Sequence, residues 1–148
     1  MSDATLPDFM LMYQRYQGLK PGPKAELRRA TDINDLIEIP AFYRLLQERK
    51  SMHKMKNLAY CLPYVKHKEG GDSLGQALAK AKVSEKRLFM VIRSESPNDL
   101  IQLRRLLKMA EPTVDWAKAA KLLFFWNELS KRRLLEDYFF YQYVPAQG

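Results

Sequence analysis

The chain has 148 residues, 47% of them hydrophobic, and carries 25 lysines and arginines against 17 aspartates and glutamates, a formal net charge of +8. Enough apolar residue is present for a packed core, which argues against disorder over most of the chain; a single cysteine, Cys61, excludes an intrachain disulfide and fits a reducing compartment. No apolar run approaches the ~20 residues of a membrane span, and the excess of cations points to a polyanionic partner, nucleic acid before an anionic membrane.

MSDATLPDFM shows no basic segment followed by an apolar stretch, so no secretory signal is expected. The first helix is predicted over 7–17, with Phe9, Met12, Tyr13 and Tyr16 on one stripe and Gly18 at its end. KPGPK connects it to a short helix running from Pro23 through Ala30, which carries Lys24, Arg28 and Arg29. Thr31-Asp32 or Asn34 caps the next short segment. Pro40 opens AFYRLLQERK, with Phe42, Leu45 and Leu46 facing inward, and MHKMKNLAYCLPYVK reads as a helix bent or broken near Pro63. Cys61 in that helix reads as a small buried apolar residue.

HKEGGDS at 67–73 is polar and holds a Gly-Gly pair. It is the best internal boundary and divides an N-terminal helical lobe, 1–67, from a C-terminal lobe, 68–148. Beyond it, Asp72 or Ser73 can cap the helix of LGQALAKA, and Ser84 can cap EKRLFMVIRS. Ser96-Pro97-Asn98-Asp99 predicts another start, with serine at the cap and Asp99 against free amides and the positive helix end. DLIQLRRLLKMA follows, with Leu100, Leu103 and Leu107 on one stripe. Pro112-Thr113 breaks it. Trp116, Ala119, Leu122, Leu123, Trp126 and Leu129 form the next apolar face, and SKRRLLEDYFFYQY runs to near Pro145. Strand patterns are almost absent. The expected class is all-α, two small helical bundles packed together with about eight to nine helices.

The sequence argues against an enzyme, and no metal or cofactor is expected. His53 and His67 are fourteen residues apart, and neither has a cysteine or carboxylate at ligand spacing. Glu136 and Asp137 are adjacent and point to different sides of a helix. GGDSLG lacks the Lys-Ser/Thr that grips phosphate and magnesium.

The basic residues fall into clusters: Lys24, Arg28 and Arg29; Lys50, Lys54 and Lys56; Arg104, Arg105 and Lys108; Lys131, Arg132 and Arg133. Arg87 and Arg93 flank the apolar side of 85–93. Arg104, Arg105 and Lys108 are expected opposite the leucine stripe of their helix. Helices can present cations to a phosphate backbone once per turn, and arginine suits forked contacts to phosphate oxygens. Trp116, Trp126, Phe124 and Phe125 read as core, whereas Tyr138, Tyr141 and Tyr143 are candidates for stacking on an unpaired base.

SLGQALAKAKVSEKRL at 73–88 has the layout of a helix-turn-helix, with Glu85, Lys86 and Arg87 opening the second helix. Such a turn usually takes glycine, because its backbone adopts a positive φ. Lys82 stands there instead.

GGDSLGQALAKAKVSEKRL followed by DLIQLRRLLKMA resembles the small-subunit (CasB) family of the type I-E CRISPR Cascade complex. GPKAELRRA at 22–30, PAFYRLL at 40–46, and Trp126 followed by KRRLLEDYFF are similar to segments of that family, in the same order. The resemblance covers roughly 20–141, and Lys82 in place of glycine is its departure. It implies a non-catalytic, cytoplasmic subunit present in two copies along a guide-RNA complex, contacting the backbone subunits, the large subunit and its own copy. Its basic surface would hold target DNA, above all the displaced strand, with no membrane partner. By motif, Lys24, Arg28, Arg29, Arg132 and Arg133 carry over. Lys50, Lys54, Arg93, Arg104, Arg105, Lys108 and Lys131 join them by charge layout. The alternatives are a sequence-specific regulator using 73–93, and an assembly adaptor whose basic surface meets acidic protein.

Overall fold

The structure, a computed structural model, describes residues 6–144. Pro145, near which the last basic-then-aromatic segment is expected to end, lies outside the described residues. The class is all-α. Among the described residues nine α-helices follow in order: α1 Phe9–Gly18, α2 Pro21–Arg29, α3 Pro40–Tyr43, α4 Met52–Cys61, α5 Leu74–Lys80, α6 Glu85–Arg93, α7 Asn98–Ala110, α8 Trp116–Phe124 and α9 Glu128–Tyr143. Two 3-10 turns, Ile33–Glu38 and Leu62–Tyr64, flank α3 and α4. The second of these marks the predicted break at Pro63.

Local chemistry sets most of the boundaries. Asp8, Ser73, Ser84, Asp115 and Asn127 each accept a backbone N–H from the first turn of α1, α5, α6, α8 and α9 respectively. Asp32 caps the first 3-10 turn reciprocally with Asp35. One predicted cap differs. α7 begins after Pro97, no side chain caps it, and Asp99 is turned into the protein. The apolar face predicted to run unbroken from Trp116 to Leu129 is also divided. α8 ends at Phe124, Asn127 starts α9, and Leu129 is left 71% exposed.

One hydrophobic core runs through both halves of the sequence, from Met12 and Tyr16 through Leu58 and Cys61 to Leu103, Trp116 and Tyr138. α8 packs on α1 and α4, α6 packs on α7, and α5 packs closely on α9. The last contact needs Gly75, because a Cβ there would fall 2.4 Å from the Leu134 carbonyl oxygen. The polar stretch 67–73 is stitched to the α7–α8 connection. Two-residue strands β1, Lys66–His67, and β2, Thr113–Val114, pair in parallel. The Trp116 amide donates to His67 Nδ1 at 2.9 Å, and the Asp115 amide donates to the Asp72 carbonyl at 2.8 Å. The pairing is too short to leave a period in the sequence.

Candidate nucleic-acid interface

Of the 25 lysines and arginines, only Lys80 and Lys131 form ion pairs among the described residues. The placement of the other cations therefore matters more than their count.

Arg104 corrects the sequence expectation. It is only 7% exposed. Its guanidinium donates to the carbonyls of Leu27 (3.3 Å), Arg28 (3.0 Å) and Ala30 at the C-terminal end of α2. Its carbon lies 4.2 Å from the Tyr60 ring centroid and 5.2 Å from that of Tyr64. The negative end of the α2 dipole and two ring faces hold a cation that has no carboxylate partner. The helical period explains the burial. Residue 104 lies four beyond Leu100 and three before Leu107, on the stripe rather than opposite it. Its seat is built, so Arg104 is not a phosphate contact in this structure.

Lys131 is corrected for the same reason. It shares a stripe with Leu134 and Tyr138 and is 4% exposed. Its Nζ lies 2.9 Å from Asp99 and donates to the Ser94 carbonyl at 2.9 Å. Asp99 also accepts the Trp126 indole N–H at 3.0 Å. Lys56 is buried as well and donates to Asn34 at 2.8 Å.

Most of the remaining predicted cations reach the surface in three places, Arg132 and Lys50 apart. At the first, Lys24 lies 5.4 Å from the Tyr16 ring centroid and Arg28 and Arg29 are exposed on the last turn of α2. Burial pushes the Tyr16 phenol up, opposed by the Arg28 charge. At the second, Arg105 and Lys108 stand exposed on α7. Arg87 reaches across from α6 to Met109 at 3.4 Å, so three cations border the α6–α7 seam. Arg93, farther along α6, lies 4.5 Å from the Phe89 ring centroid.

The third place is a cleft of about 520 Å³ lined by Leu74, Lys118, Lys121, Leu122, Phe125, Leu129 and Arg133, with Ser73, Ser130 and Asp137. Lys54 comes close to it, 5.4 Å from the Phe125 ring centroid. Lys118 and Lys121 were not picked out by sequence reasoning. Their signal was available: they stand one turn apart, and Leu122 and Phe125 repeat that spacing four residues on. Arg132 faces elsewhere, beside Leu135, Glu136, Phe139 and Phe140. Lys50 is exposed, away from these contacts.

The aromatic expectations divide. Trp116 and Phe124 are buried, whereas Phe125 is 39% exposed rather than core. Tyr138 is fully interior and donates to the Val83 carbonyl, so it is unavailable for stacking. Tyr141 and Tyr143 are exposed. Tyr143 donates to Glu85, and that bond and charge push its phenol up. Cys61 is fully enclosed, and burial pushes its thiol up to about 12. The α5–α6 turn takes the positive φ that a helix-turn-helix requires, with Lys82 at +63°.

The fold and the surface together define a small all-helical protein with most of its cations exposed and Lys56, Arg104 and Lys131 buried. Residues 23–139 match the family described as CRISPR-associated protein Cse2, and the chain belongs to that family. It is 35% identical over 147 residues to the CRISPR system Cascade subunit CasB of Escherichia coli K12, covering 88% of this chain and 92% of that protein. A chain in the crystal structure of E. coli Cascade bound to a PAM-containing double-stranded DNA target superposes with a TM-score of 0.85 at 37% identity, over 90% of this chain and 95% of that one. CasB from Thermus thermophilus shares the fold, with a TM-score of 0.64 at 20% identity over 88% and 95% of the two chains. Among the described residues, no helix is long and apolar enough to cross a membrane.

Proposed function

We propose that this chain is a non-catalytic small subunit of a guide-RNA CRISPR interference complex, and that it holds nucleic-acid backbone without reading sequence. The observation that carries this is the set of exposed cations with no ion pair among the described residues, above all Arg87, Arg105 and Lys108 along the α6–α7 seam. From Leu100 to Ala110, α7 contains no carboxylate to oppose phosphate. Exchanging a DNA duplex for a guide–target heteroduplex is nearly balanced in free energy. Modest backbone contacts to the displaced strand and the target DNA therefore tip the balance toward an R-loop. Membership of the Cse2 family supports this placement.

An assembly role belongs to the same proposal. Met90, Phe140 and Tyr143 are exposed around α6 and α9, an apolar surface suited to the backbone subunits, the large subunit or a second copy. A sequence-reading helix-turn-helix has the Lys82 turn in its favour. Against it, Glu85 opens α6 with a carboxylate where phosphate would come, and Tyr143 already engages that carboxylate.

The test is binding of Arg105→Ala/Lys108→Ala to single-stranded and duplex DNA across a salt series. Loss of two phosphate contacts lowers the slope of log K against log salt by about 1.8 for duplex and about 1.4 for single strands, equally for all sequences. An unchanged slope removes α7 from the interface. A strong preference for one duplex sequence overturns the proposal in favour of a reader.

A further inference from the structure

The α8–α9 cleft has two properties that a simple phosphate rail does not need. Its rim is cationic. Lys118 and Lys121 stand one turn apart on α8, and Arg133 faces them from α9. Among the described residues none of the three forms an ion pair, and Asp137 is the one carboxylate in the lining. The Lys118 ammonium is anchored by donating to the Gly71 carbonyl at 3.2 Å.

Its interior is apolar. Leu74 and Leu122 line it, and Phe125 and Leu129 stand open to solvent where the chain turns from α8 into α9. The Phe125 ring is fixed in direction, with Phe124 packed edge-on at 5.0 Å and 85°. A directed, partly exposed aromatic ring that lines the same cleft as these cations, with the Lys54 ammonium a further cation 5.4 Å from its centroid, is an arrangement that binds an unstacked base on its π-face and the adjoining phosphates at the rim. An acidic peptide would satisfy the cations but leave the ring face unused. A duplex offers no exposed base face. A cleft of about 520 Å³ is in the range that receives one small ligand.

We propose that this cleft receives one unpaired nucleotide of a single strand, its base against Phe125 and its phosphates at Lys121 and Arg133, with Lys118 beside them. This assignment rests on the proposed nucleic-acid role and adds to it a base-contacting site separate from the α6–α7 seam. It confers preference for single strands over duplex without sequence choice, because every base has a π-face.

The experiment compares the full-length chain with Phe125→Leu and with Lys121→Ala/Arg133→Ala. The probes are an oligo(dT) and the same oligomer with abasic sites, each across a salt series. Phe125→Leu is expected to weaken oligo(dT) binding about fivefold or more, leave its salt slope unchanged, and leave abasic binding unchanged. Lys121→Ala/Arg133→Ala is expected to lower the slope by about 1.4 on both oligomers. All three positions are exposed, so the variants fold, and a thermal melt verifies it. Equal loss on both oligomers with Phe125→Leu overturns the base contact. Binding by the cleft variants like the unaltered chain, while Arg105→Ala/Lys108→Ala weakens it, overturns the cleft alone. No salt-dependent binding by the unaltered chain overturns both the cleft and the nucleic-acid role.

Discussion

Where α7 meets the end of α2, the buried cation is Arg104 and no carboxylate faces it; where α7 meets the start of α9, the buried cation is Lys131 and Asp99 faces it. The chemistry of the two side chains accounts for the difference. A guanidinium is planar and offers five donors, so it can gather several carbonyls at once and lie flat on aromatic rings. An ammonium is a compact charge with three donors and no flat face; at this junction a carboxylate meets it, whereas buried Lys56 is met by the Asn34 side-chain oxygen. Neither cation is available to a partner, yet each sits in a run of basic residues whose other members are. Arg105 is exposed beside Arg104, and Arg132 and Arg133 are exposed beside Lys131. Each run thus fastens a helix with one residue and presents charge with the next.

The sharpest way to break the comparison is to remove the anion from the second junction. Asp99→Ala leaves the buried Lys131 ammonium with the Ser94 carbonyl and, of the carboxylates, only the exposed Glu128, 3.7 Å away, and it takes the acceptor from the partly buried Trp126 indole N–H. The expected loss in urea unfolding is about 3–5 kcal/mol. Asp99→Leu/Lys131→Met removes both charges together and is expected to lose less than Asp99→Ala. A double variant as unstable as the single one would mean that the packing at Asp99, and not the pairing, holds the junction.

Arg104→Lys tests the first junction. A lysine keeps the charge but reaches fewer of the α2 carbonyls and brings no planar guanidinium to the Tyr60 ring. The expected loss is roughly 2 kcal/mol in the same unfolding measurement. Its DNA-binding salt slope is expected to match that of the unaltered chain, in contrast to Arg105→Ala/Lys108→Ala. A lowered slope would make Arg104 a phosphate contact after all.

These junctions also show what was legible beforehand. The helices and most caps follow from local pattern, and Ser73 and Ser84 cap where the sequence places them. The burial of Arg104 and Lys131 was legible too, since each falls on an apolar stripe when the period is counted through the charged residue. Charge type was allowed to outweigh position. What makes those positions tolerable was not legible. The α2 carbonyls that receive Arg104 lie more than seventy residues away in the chain, at Leu27 to Ala30. The cleft shows the converse. Lys118, Lys121 and Phe125 are readable as a face of one helix, but Arg133 opposite them is brought in by the turn at Asn127.

A third cation completes the comparison, at a junction where charge plays no part. Lys82 lies in the turn between α5 and α6, exposed, with its backbone at φ +63°. A Cβ in the left-handed region costs about 1–2 kcal/mol, whereas glycine adopts that region at no steric cost but loses more chain entropy on folding. Lys82→Gly is therefore expected to stabilise the chain by about 1 kcal/mol, read as a higher urea midpoint at unchanged m-value. Lys82→Ala keeps the Cβ, removes the charge, and is expected to leave stability where it is. If alanine stabilises as much as glycine, the strain is not in the backbone but in crowding of like charge with Lys80 and Lys86. If glycine alone raises the midpoint, the turn is set by φ, and the α5–α6 pair is a scaffold element that tolerates a lysine where glycine fits better.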